Sequence, residues 1–316
     1  MQQRPLGRSG LSIAPLVFGG NVFGWTADKR TSFALLDLFV AGGLNAVDTA
    51  NSYQTWIPGN TGMSETIIGE WMKARRNRDR IVLITKVGSD IGQGKEDLSA
   101  AHIAAAVEDS LKRLKTDYID LYFSHWHDPD TPYEETLGAY AKLIEAGKVR
   151  AIGASNHDAA QTRAALEVSR RDGLPRYEVL QPEYNLYDRE GFEAELRGLA
   201  LAEGLGVITY FSLARGFLSG KYRSTADLGK SPRGGSIGRY LTPRGEAILE
   251  ALDDISAKHK AKPAEVALAW LIAAEGVTAP IASATSLEQT DSLVRAASLR
   301  LTAADLAQLD AASRPA

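Results

Sequence analysis

Short apolar runs alternate along the chain with longer stretches in which apolar residues recur at helical spacing. The runs fall at 16–19, 45–48, 81–86, 119–125, 149–155, 179–181, 206–210 and 277–282, and each has strand length. Between and after them the helical spacing predicts helices over 31–41, 64–75, 99–114, 132–146, the stretch following His157, 191–202, 263–274 and 287–297. Gly42-Gly43 closes the first helix. Eight strands, each with its own helix, predict a closed parallel (β/α)8 TIM barrel, α/β in class, spanning residues 1–316 as a single domain.

An open doubly wound sheet is the competing architecture, and it usually carries a glycine-rich turn after its first strand. No G-x-G-x-x-G stands there. Gly94-Lys95 and Gly220-Lys221 both fail the G-x-x-x-x-G-K-[ST] pattern of a phosphate loop. Two segments interrupt the rhythm. Residues 2–14 carry turn signals at Gly7 and Ser9-Gly10 and read as an N-terminal hairpin plugging the barrel floor. Residues 222–244 include Ser231-Pro232-Arg233-Gly234-Gly235 and read as a long loop after strand seven, on the face where barrels carry their chemistry.

Composition narrows the choice of partners. The 316 residues are 44% hydrophobic and 24% charged, with a net charge of −3. That balance gives no sign of a nucleic-acid or membrane-surface partner. Cysteine is absent, which removes disulfides, thiolate metal sites and a cysteine nucleophile, and points to the cytoplasm. No apolar run approaches the roughly 20 residues a membrane span needs. The opening Met1-Gln2-Gln3-Arg4-Pro5-Leu6-Gly7 leads into no apolar core of a signal peptide. Oligomeric state is not legible from the chain.

Barrel chemistry gathers where strands end at their C-terminal side. The predicted ends supply Asp48 with Tyr53 five residues on, Lys86, His125, Ser155-Asn156, Gln181 and Tyr210. An acid, a phenol, an amine and an imidazole therefore converge on one mouth. Hydride arriving at a carbonyl carbon leaves negative charge on oxygen, which needs a proton. A phenol of pKa about 10 is a weak donor until a nearby ammonium favours its anion. Lys86 fits that part, Asp48 balances Lys86, and His125 fits a donor to the developing oxyanion. Each residue also has an ordinary reading. Asp48 and Lys86 read equally as an internal ion pair, Tyr53 as a loop tyrosine, and His125 as a satisfied histidine at a strand end.

The order and spacing of these segments resemble the aldo-keto reductase superfamily. Asp48-Thr49-Ala50-Asn51-Ser52-Tyr53 resembles its D-T-A-x-x-Y segment, and Thr85-Lys86-Val87-Gly88 its lysine strand. Asp120 with Leu121-Tyr122-Phe123-Ser124-His125-Trp126 resembles D-L-Y-x-x-H-W. Gly153-Ala154-Ser155-Asn156 and Gln181-Pro182-Glu183-Tyr184-Asn185 resemble two further strand ends of the family. The likeness covers nearly the whole chain.

It implies a catalytic set of Asp48, Tyr53, Lys86 and His125, and an extended NADP(H), with NAD(H) as the competing cofactor. The implied cofactor contacts are Gly20, Asn21, Asp48, Ser155, Asn156 and Gln181, with Tyr210 stacking on the nicotinamide. Phe211, Ser212, Leu213, Arg215 and Lys221 fall on the pyrophosphate side. Ser283, Thr285 and Gln289 fall at the adenosine phosphate, before a helix whose N-terminus suits an anion. Thr285 stands where many members place a basic residue, which leaves Arg233 or Arg239 to meet a 2′-phosphate. Trp25, Trp56 and Trp126 are expected to wall a pocket for an aldehyde or ketone.

Three other classes compete. His125-Trp126-His127 on one strand face, with Asp128 and His157, would suit a metal-dependent barrel hydrolase, although no metal is expected. Lys86 alone would suit a Schiff-base lyase. A nicotinamide-binding regulatory subunit with little turnover would carry the same four residues.

Overall fold

The computed structural model describes residues 1–232 and 234–315. A two-stranded antiparallel hairpin comes first, β1 (Arg4–Pro5) and β2 (Ser12–Ile13). Eight parallel strands follow: β3 (Val17–Gly19), β4 (Ala46–Asp48), β5 (Val82–Val87), β6 (Ile119–Ser124), β7 (Val149–Ser155), β8 (Tyr177–Gln181), β9 (Gly206–Thr209) and β10 (Ala279–Ala282). They pair in chain order, and β10 pairs both β9 and β3, so the barrel closes without an edge.

Helices pack outside the strands: α1 (Lys29–Ala41), α2 (Met63–Arg75), α3 (Ala100–Leu114), α4 (Tyr133–Glu145) and α5 (Ala159–Asp172). Three of them begin where a polar side chain satisfies free backbone N–H groups. The Asp28 side chain caps α1, Ser99 caps α3, and Asp158 with Gln161 forms a capping box on α5. Between β8 and β9 the predicted single helix is broken into α6 (Glu190–Glu193) and α7 (Leu196–Glu203).

The barrel has two apolar layers, because strand side chains alternate in and out. Val17, Ala46, Ile84, Leu121, Phe123, Ala151, Val179, Ile208, Ala279 and Ile281 fill the interior. Leu6 and Ile13 join them from the hairpin, which plugs the floor as the sequence predicts. A larger outer cluster packs the strands against the helices.

After β9 the chain runs through short 3₁₀ turns to α8 (Pro243–His259), α9 (Pro263–Ala273), α10 (Leu287–Ser298) and α11 (Ala303–Ser313). The expected loop therefore ends at Thr242, whose side chain caps α8, and residues 243–244 are already helical. α8 and α11 lie outside the one-helix-per-strand pattern and pack on each other, with Asp305 of α11 gripping Lys258 and His259 of α8.

Candidate active site

The period of two that builds the interior also builds the mouth. Ala46 faces inward, and so does Asp48 two residues on. The same step leads from Ile84 to Lys86, Phe123 to His125, Ala151 through Gly153 to Ser155, Val179 to Gln181, Ile208 to Tyr210, and Ile281 to Ser283. The interior is apolar to its last layer, then turns polar at seven of the eight strands. At the eighth, Val17 leads to Gly19, which lies against Ser283 Oγ.

Lys86 is fully buried, and its ammonium spends all three protons. Nζ donates to Asp48 Oδ2 at 2.7 Å, to the Thr49 carbonyl at 2.7 Å and to the Tyr53 hydroxyl at 2.9 Å. The Tyr53 hydroxyl in turn donates to Asp48 Oδ2 at 3.2 Å. Loss of water pushes the Lys86 pKa down from the usual ammonium range, and the Asp48 carboxylate acts against that push. The second carboxylate oxygen, Asp48 Oδ1, accepts from Gln181 Nε2 at 3.0 Å. Gly20 closes this corner from below, where an added Cβ would sit 2.9 Å from both the Asp48 carbonyl oxygen and Ser64 Oγ.

His125 sits one residue past the end of β6, its ring edge-to-face with Tyr53 at 6.1 Å between centroids. Its Nδ1 lies 2.8 Å from Ser89 Oγ and 3.4 Å from Ser52 Oγ. Desolvation and then the Lys86 charge hold its pKa well below the usual imidazole range, so the ring is neutral at pH 7. Neither serine carries a sequence signal. Ser89 lies beyond its strand and Ser52 inside a turn, so neither falls on the alternation that reveals the other site residues.

A hydrogen-bonded belt continues along the rim. Asn156, held at φ 56°, donates through Nδ2 to the His125 carbonyl at 2.8 Å and to Ser155 Oγ at 3.2 Å. Its Oδ1 accepts from the Tyr210 hydroxyl at 2.7 Å. Ser155 Oγ donates to the Gln181 carbonyl at 2.9 Å. On the other side Ser283 Oγ donates to Asn21 Oδ1 at 2.6 Å, and Gln54 Nε2 donates to the Asn21 carbonyl at 2.9 Å.

The loop after β9 is strained. Phe211, Ala214 and Arg215 all have positive φ, which non-glycine residues rarely adopt, and Gly216 follows at 105°. The Arg215 guanidinium stacks over Phe211, and its Nε is buried with no hydrogen-bond partner among the described residues. Ser212 is buried and donates to the Thr209 carbonyl, Leu213 is half-buried, and Lys221 is exposed over Tyr222. Before α10, Gln289 Oε1 accepts from the Thr285 N–H at 2.8 Å, and Ser286 caps the helix. A strained loop with an unspent guanidinium, and a polar rim that runs to the start of a helix, suit the phosphates and ribose of an extended dinucleotide. Arg239 pairs with Asp188 at 2.8 Å, and the expectation placed on Arg233 lies outside the described residues.

Two of the three tryptophans expected to wall the mouth are well exposed, Trp126 at 43% and Trp56 at 54%. Trp126 stacks on His125, and Trp25 packs edge-to-face on Trp56 at 5.8 Å.

The metal-hydrolase arrangement does not form. His125 keeps the inward step and packs on Tyr53 and Trp126, whereas His127, beyond the end of β6, has different neighbours. His127 packs on Tyr133 and His157, and Asp128 accepts from the Leu98 and Asp130 N–H groups and from Thr131. Among the described residues no three His, Cys, Asp or Glu gather at one point. Lys86, fully buried with each proton donated, is poorly placed to attack a carbonyl as a lyase would require.

A family model described as the Aldo/keto reductase family matches residues 15–314. The chain is 35% identical to an uncharacterized oxidoreductase, YrpG, of Bacillus subtilis, over 95% of this chain and 92% of that one. It is 30% identical to Protein tas of Escherichia coli, over 98% and 97% respectively. It is also 30% identical to the L-glyceraldehyde 3-phosphate reductase of Escherichia coli O157:H7, over 98% and 92%.

Proposed function

Since this chain belongs to the aldo/keto reductase family, we propose that it reduces aldehydes or ketones to alcohols with NADP(H), Tyr53 giving the proton. The observation that carries the reading is the three-way contact of Lys86 Nζ, Asp48 Oδ2 and the Tyr53 hydroxyl. The nicotinamide, when bound, supplies the hydride. Everything else falls to the chain's own side chains. Ser155, Asn156 and Gln181 line one side of the nicotinamide position with amide and hydroxyl groups, and Tyr210 offers its ring. Arg215 and Lys221 meet the pyrophosphate, while Ser283, Thr285 and Gln289 border the adenosine phosphate.

The carbonyl oxygen sits between Tyr53 and His125. As charge builds on that oxygen, His125 donates a hydrogen bond, and the Tyr53 proton leaves its 3.2 Å contact with Asp48 to form the new O–H. The phenolate left behind is stabilised by the ammonium 2.9 Å away. Asp48 keeps that ammonium in place, and Gln181 keeps Asp48 in place. A positioned proton donor of this kind contributes about 10²–10⁴-fold to rate.

No helix among the described residues is long and apolar enough to cross a membrane. With no cysteine in the sequence, we place the enzyme in the reducing cytoplasm.

Titration of the intrinsic tryptophan fluorescence with NADPH and with NADH tests the cofactor claim. Saturable quenching is expected, tighter for NADPH. Failure of both to bind contradicts the reading, and binding without turnover of any activated aldehyde favours the regulatory-subunit alternative.

A further inference from the structure

We propose that Ser89, assisted by Ser52, is a positioning residue that fixes the tautomer of His125 and so makes its Nε2 the hydrogen-bond donor. The inference rests on the reading above, in which His125 donates to the carbonyl oxygen. A neutral imidazole has one N–H and two places to carry it, and only the Nε2–H form can donate from Nε2. The form with hydrogen on Nδ1 would present a lone pair to the developing oxyanion and repel it.

The surroundings of Nδ1 select between the two. Ser89 Oγ at 2.8 Å and Ser52 Oγ at 3.4 Å both address this nitrogen, and both serines are buried. Among the described residues neither hydroxyl has another hydrogen-bond partner. With a bare Nδ1, the Ser89 proton has an acceptor at good distance. With hydrogen on Nδ1, the ring would donate to Ser89, and the Ser89 hydroxyl proton would be left buried without an acceptor. Leaving a buried donor unmet disfavours that form by about tenfold or more in population.

The two serines come from different parts of the site. Ser52 precedes Tyr53 on the turn after β4, and Ser89 follows Lys86 beyond β5. The tautomer of His125 is therefore tied to the placement of both the proton donor and its ammonium partner. Gln93 Nε2 donates to the Ser89 carbonyl at 2.9 Å and braces the segment that carries it.

The test is ¹⁵N NMR of the histidine-labelled full chain, read beside steady-state kinetics. Wild type is expected to show an unprotonated Nδ1 and a protonated Nε2 at His125 through neutral pH. Ser89→Ala is expected to give a mixture of tautomers and a fall in kcat of about tenfold with KM little changed. Ser89→Thr keeps the hydroxyl and is expected to restore both, and Ser52→Ala to have the smaller effect. A Ser89→Ala protein with the wild-type tautomer and kcat overturns the inference while leaving the reductase reading intact. A tautomer that responds to Ser89 in a protein without reductase activity sinks the catalytic reading instead.

Discussion

The side-chain amide of Gln181 donates to Asp48 Oδ1 at 3.0 Å, from the opposite side of the barrel mouth to Tyr53 and Lys86. The resemblance to the family assigns Gln181 to the nicotinamide. In this chain its Nε2 also braces the carboxylate that holds the Lys86 ammonium. On the proposed reading, cofactor seat and proton-donor machinery share one side chain.

The Asp48–Lys86 pair is wholly buried, so breaking it from one side costs more than removing both charges. Lys86→Met is expected to lower turnover by at least about 10²-fold. It is also expected to destabilise the fold by about 3–5 kcal/mol, because Asp48 keeps a buried charge with no cation beside it. Adding Asp48→Asn should recover most of the stability and none of the turnover. Urea unfolding and aldehyde-dependent NADPH oxidation check both halves. A Lys86→Met protein as stable and active as wild type would refute the pairing argument.

His157 predicts an acid weakness. Its Nδ1 lies 2.9 Å from the Ser155 carbonyl, while Nε2 is buried without a partner among the described residues. Burial pulls its pKa down to about 4. Between about 4 and the unfolded value near 6.5 the unfolded chain binds a proton that the folded chain does not. Stability therefore rises with pH across that window and is lost as pH falls through it, at up to about 1.4 kcal/mol per pH unit. His125 shifts the same way and adds to the slope. His157→Gln should flatten the urea-midpoint profile between pH 4 and 6.5; an unchanged slope would mean that His157 does not report the burial described here.

Most of this site was legible because strand geometry exposes it. Asp48, Lys86, Ser155, Gln181 and Tyr210 lie two residues beyond an interior-facing residue of their own strand, and that step can be counted in the sequence. What stayed hidden lies off the strands. Ser52 and Ser89 act through turns whose direction no periodicity encodes. The split of the sixth helix at Ala194 and Glu195 carries no glycine or proline to announce it. α8 and α11 were masked differently. Ile248, Leu249, Leu252 and Ile255 do recur at helical spacing, but a pattern of one helix per strand has no place for a second. The metal alternative failed past the end of β6, where His125 keeps the inward step to Tyr53 and His127 packs on Tyr133 and His157 instead.

The most direct measurement compares wild type and Tyr53→Phe in a single turnover of NADPH with an activated aromatic aldehyde, beside a fluorescence titration of cofactor binding. The phenyl ring keeps the packing against His125 and removes only the hydroxyl between Lys86 and Asp48. The account predicts cofactor affinity within about twofold of wild type and turnover lower by about 10²–10⁴-fold. A Tyr53→Phe protein that still turns over at the wild-type rate would contradict it and remove Tyr53 from the chemistry.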